Sequence, residues 1–123
     1  MHRILLYVAY GWLTLGGAMH FAIDVVSQYL RGKRPPGAET TLYYGLNSAF
    51  ALGQLAFGLV GLWLAWRSPD LLGEKPLVVL SLSVAVGWLA ITFAAMEYWE
   101  PKFVTSVFAA LIIVAAATKW LYP

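Results

Sequence analysis

His20 and Asp24 stand four residues apart in the stretch MHFAID, Met19–Asp24, inside an otherwise apolar run. On a helix, side chains at i and i+4 share a face, so this spacing lets an imidazole and a carboxylate meet. Asn47, Gln54 and Glu97 are further polar side chains within apolar runs. These five residues are the candidate site, and three kinds of chemistry are open to them. Together they could line a pocket for a small lipophilic, amphipathic or cationic ligand, since such pockets are mostly apolar with a few convergent polar groups. His20, Asp24 and Glu97 form an imidazole-plus-carboxylate set acceptable to zinc, iron or manganese. A His–carboxylate pair could also move a proton in an isomerase-like reaction on a lipid.

Plainer roles are available to the same residues. Asp24 and Glu97 could reach water near the headgroups or pair with loop cations, where exposed pairs contribute only about 0–1 kcal/mol. A neutral His20 could tie helices together, as could Asn47 and Gln54, and such interhelical polar contacts average about 0.6 kcal/mol. His-x-x-x-Asp by itself is a weak metal signal, and the second histidine, His2, lies far away in the chain. Two-histidine haem ligation fails on the same count, and no cofactor fingerprint, phosphate loop or nucleophile motif is present. The sequence therefore indicates no cofactor and favours a non-enzyme. An accessory subunit of a larger membrane complex, or a homo-oligomer, is the alternative to ligand binding or transport.

The elements that carry these residues are legible from composition. Of 123 residues 61% are hydrophobic and only 11% are charged, against roughly 25% charged in an ordinary soluble domain. Mean hydropathy is +0.72. Four apolar runs, about 4–30, 42–66, 76–99 and 103–121, each approach or exceed the roughly 20 residues that cross a bilayer core as a helix. The expectation is a single all-α domain, a four-span membrane bundle with the lipid bilayer as its first partner. Tyr43, Tyr44, Trp63, Trp66, Tyr98, Trp99, Trp120 and Tyr122 sit at run ends, where amphipathic rings prefer the headgroup level.

Small-residue cleavage could be imagined at Gly16-Gly17-Ala18, but apolar character continues through Phe21–Ile23, so the first span is expected to stay. The absence of cysteine excludes disulfides and thiolate chemistry. A net charge of +2 with scattered basic residues gives nucleic acid nothing to bind. Lysine and arginine divide evenly between the two sides: Arg3, Arg67, Lys75 and Lys119 against Arg31, Lys33, Arg34 and Lys102. The free amino terminus tilts the positive-inside rule towards cytoplasmic termini, the dense Arg31-Gly32-Lys33-Arg34 cluster tilts it back, and the expectation leans to cytoplasmic termini.

Small residues predict the packed faces. On the third span they are Ser83, Gly87, Ala90 and Ala94, a stripe that ends at Glu97 and turns that acid inward. On the second they are Gly45, Ala49 and Gly53 on one side, and Asn47, Ala51, Gln54, Gly58 and Gly61 on another. At about 1.5 Å of rise per residue, Asp24 and Glu97 each lie some 30 Å along their spans. The depths bring His20, Asp24, Asn47 and Glu97 to one end of the bundle, under loops 1 and 3, with Gln54 deeper.

Overall fold

In the computed structural model, which describes all 123 residues, the chain is helical with no strand. Four helices are long and apolar enough to cross a membrane: α1 (His2–Leu30), α2 (Ala38–Arg67), α3 (Lys75–Ala95) and α4 (Glu100–Leu121). A single helical turn, Pro69–Leu72, lies in the second connection. Helices suit such a chain because in hydrocarbon every backbone amide must find its partner within the segment. Gly32, at φ 59°, ends α1 in the left-handed conformation, and the Lys33 amide returns to the Gln28 carbonyl at 3.2 Å. That closes off carbonyls left free at the helix end.

The helices form a ring in which α1 packs along α2 on one side and α4 on the other, and α4 packs along α3. Glycines set the α1–α2 approach. A Cβ at Gly17 would stand 2.9 Å from the Leu55 amide nitrogen, and one at Gly61 would enter the Tyr10 ring. Between α2 and α3 the backbones stay apart, and side chains close the gap. Tyr10, Phe57, Trp88 and Phe108, one from each helix, meet at centroid separations of 5.5–6.5 Å, mostly edge to face. The Tyr10 hydroxyl, buried in this cluster, is satisfied by Ser81 Oγ at 2.9 Å.

Both chain ends and the second connection share one end of the bundle. There His2 Nδ1 donates to the Ala115 carbonyl at 2.7 Å and Trp120 Nε1 to the Gly73 carbonyl at 3.1 Å. Loops 1 and 3 share the other end, where Arg34 Nη2 donates to the Tyr98 hydroxyl at 3.2 Å.

Three sequence expectations need correction. On α3 the buried face is Val78, Ser81, Ala85, Trp88 and Thr92. Ser83, Gly87, Ala90 and Ala94 are all on the exposed side, and a Cβ on Gly87 would meet nothing within 4 Å. Lipid tails are as apolar as the bundle interior, so small residues cost little outside. The ring closure needed Trp88 inside. On α2, Asn47, Ala51, Gln54, Gly58 and Gly61 are buried as expected, whereas Gly45 and Ala49 are exposed. The third span also stops at Ala95, four residues early, with Met96 extended at φ −121°, ψ 128°. Pro101 suits only the first turn of a helix and so pins the start of α4. The chain reversal must then be taken from the end of α3.

Candidate functional site

His20 closes the α-helical part of α1, and the next turn, Phe21–Ser27, is a π-helix that carries Asp24. Such widened turns are rare and recur at functional sites. The His20 ring is 7% exposed and lies 5.3 Å from the Phe50 ring. Its Nδ1 is 2.9 Å from Asp24 Oδ2, and its Nε2 is 2.9 Å from Asn47 Oδ1.

Asn47 determines where protons sit. Its Nδ2 donates to the Tyr43 carbonyl at 2.9 Å, so its oxygen is what faces the imidazole. An amide oxygen only accepts, and Nε2 must therefore carry a proton. The Nδ1–Asp24 contact then needs a second proton, on Nδ1 or on the carboxyl group.

Beside this pair, between α1 and α4, is a cavity of about 310 Å³. Trp12, Leu15, Met19, Ile23 and Val104 make its apolar walls, and His20, Asp24, Gln54 and Glu100 its polar groups. Leu15, Met19 and Ile23 are exposed on the outer flank of α1, so the cavity opens sideways. Gly16 belongs to the same wall, where α1 and α4 run close enough that a Cβ would strike Val104. Trp12 Nε1 is satisfied by the Val104 carbonyl at 2.9 Å. Gln54, only 1% exposed, reaches the cavity from α2 and donates to Thr105 Oγ1 at 3.3 Å.

The two loops are tied together at this end of the bundle. Arg34 stacks on the Tyr43 ring at 3.4 Å, and Tyr43 and Tyr98 share a hydroxyl contact of 2.8 Å. Lys102 Nζ takes the Met96 and Tyr98 carbonyls at 2.8 and 2.7 Å. It thereby satisfies groups freed by the early end of α3.

Of the five candidate residues, His20, Asp24 and Gln54 line the cavity, and Asn47 holds His20 from behind. Glu97 does not join them. The helix has already ended at Ala95, which breaks the spacing that would have turned this acid inward, and its side chain is exposed. No three potential metal ligands come together anywhere in the chain, so the His20, Asp24 and Glu97 set is not assembled. The acid that does line the cavity is Glu100.

Trp12 and Tyr98 were also missed as lining residues. Trp12 carried a usable signal: it lies deep within a span rather than at an aromatic belt, and a buried indole N–H requires an acceptor. Tyr98 resembled any belt residue. No protein-family model, curated protein or solved structure matches the chain. What the protein does must be argued from this geometry.

Proposed function

We propose that the protein is a multi-pass membrane protein that binds a small amphipathic molecule in the cavity between α1 and α4. One observation carries this reading. A concave, largely apolar space opens on the flank of α1, and polar groups from α1, α2 and α4 converge on it. Its volume of about 310 Å³ falls at the lower end of the roughly 300–1,000 Å³ common for small-molecule sites. A molecule with an apolar tail and a polar head would reach it from the acyl-chain layer of the bilayer. The tail would lie along Trp12, Leu15, Met19 and Val104, with the head towards His20, Asp24 and Gln54.

Two other readings gain less support. A docking subunit would present its polar residues on an outer face, whereas these line a concavity within one chain. An isomerase would need a ring nitrogen of His20 free to exchange a proton with the ligand, and Asn47 and Asp24 occupy both.

Photolabelling tests the proposal. A decyl chain bearing a diazirine, added to the protein in nanodiscs, should label Leu15, Met19, Ile23 or Val104 in preference to other lipid-facing residues. Met19→Trp, at a residue 50% exposed, should fill the cavity and abolish that preference without disturbing the core. Labelling spread evenly over the outer surface of the four helices would count against an occupant.

A further inference from the structure

Each side-chain donor group of the cavity has a partner within the protein, and only the second N–H of the Gln54 amide is left over. Trp12 Nε1 is held by Val104 and Gln54 Nε2 by Thr105. His20 faces Asn47 and Asp24, and the Tyr98 hydroxyl is held by Arg34 and Tyr43. The acceptors are not used up in the same way. Thr105 gives its own hydroxyl proton to the Pro101 carbonyl at 2.8 Å. Its oxygen therefore receives the Gln54 amide, which orients that amide unambiguously. Oε1 of Gln54, on a cavity-lining side chain 1% exposed, has no hydrogen-bond partner in the protein. Asp24 commits Oδ2 to His20 and keeps Oδ1.

Charge favours the same occupant. Neither Asp24 nor Glu100 lies within 4.0 Å of a lysine or arginine. The two cations nearby are turned to other partners: Lys102 to the Met96 and Tyr98 carbonyls, and Arg34 to Gln28, Tyr98 and the Tyr43 ring. Glu100 thus borders the cavity with no cation of the protein beside it.

Building on the ligand-binding reading, we propose that the cavity selects amphiphiles with a primary ammonium head. The N–H donors of that head are taken up by Gln54 Oε1 and Asp24, and Glu100 balances its charge at the rim. A quaternary ammonium has the charge but no N–H. An alcohol has one donor and no charge, and a carboxylate has the wrong sign.

Four probes with the same chain test this at pH 7: decylammonium, decyltrimethylammonium, decanol and decanoate. Each is titrated calorimetrically into the protein in nanodiscs, with empty nanodiscs as the blank. Decylammonium should bind at least ~10-fold more tightly than the other three, as expected for charge-assisted hydrogen bonds out of bulk water. Glu100→Gln, at an exposed position without an ion-pair partner in the protein, should reduce its advantage over decanol. Asp24→Asn should reduce it further.

Equal binding of decylammonium and decyltrimethylammonium would overturn the donor requirement, and with it the proposal. Equal binding of all four, saturating at one per chain, would overturn head-group selection while leaving the ligand-binding reading standing. If none binds beyond the empty-nanodisc blank, the ligand-binding reading falls as well.

Discussion

Asn47 is the residue on which the chemistry of His20 depends, because its amide can face the ring only with its oxygen. Imidazole ¹⁵N chemical shifts should therefore show a protonated Nε2. They should still do so in Asp24→Asn, where the ring has lost its acidic neighbour. A neutral ring with its proton on Nδ1 would contradict the assigned hydrogen bonds. Asn47→Leu removes the acceptor and leaves a buried N–H without a partner, which costs roughly 1–3 kcal/mol. Chemical unfolding in detergent should register a loss of that size. A variant as stable as wild type would mean that the His20–Asn47 contact contributes nothing to the fold.

At the level of elements, close approach is confined to particular helix faces. Gly61 lies against the Tyr10 ring, so Gly61→Leu forces a side chain into occupied space and should cost roughly 1–3 kcal/mol or more. Gly87 faces open space on α3, and Gly87→Leu should stay within about 0.5 kcal/mol of wild type, as surface changes usually do. Thermal unfolding of the two variants side by side checks the assignment, and the opposite order would mean that α3 is rotated. From sequence, both glycines belong to stripes at steps of three and four residues and look alike. What separates them is what lies over each: the Tyr10 ring over Gly61, and nothing within 4 Å over Gly87.

For the molecule as a whole, four antiparallel spans place both termini and the Pro69–Leu72 turn at one end and loops 1 and 3 at the other. Reporters fused after Lys33 and after Pro123 should mark opposite sides of the membrane. Signals from the same side would break the four-span arrangement. The cavity lies at the loop 1/loop 3 end, where Arg34, Tyr43 and Tyr98 bind one loop to the other. Tyr98→Phe removes the hydroxyl that ties loop 3 to Arg34 and Tyr43. It should increase hydrogen–deuterium exchange in residues 31–37 and 96–99 while leaving the Tyr10, Phe57, Trp88 and Phe108 centre protected. Unchanged exchange in the loops would show that the tie carries no constraint.

Sequence alone determined the number of spans and the meeting of His20 with Asp24. Both depend only on distances along a single chain segment: the length of an apolar run and one turn of helix. It also placed Asn47 and Gln54 on the inner side of α2, because polar side chains in hydrocarbon have few other places to go. Tertiary structure decided which face of α3 turns inward and that Glu100 rather than Glu97 borders the cavity. It also decided which polar atoms remain without partners. The first choice is hidden because lipid and bundle interior are equally apolar, so no contrast in hydropathy marks the buried side. The second turned on the early end of α3, forced by Pro101 at the start of the following helix. The third is a matter of angles between helices, since a single proton on Thr105 decides whether the Gln54 oxygen is left for a ligand.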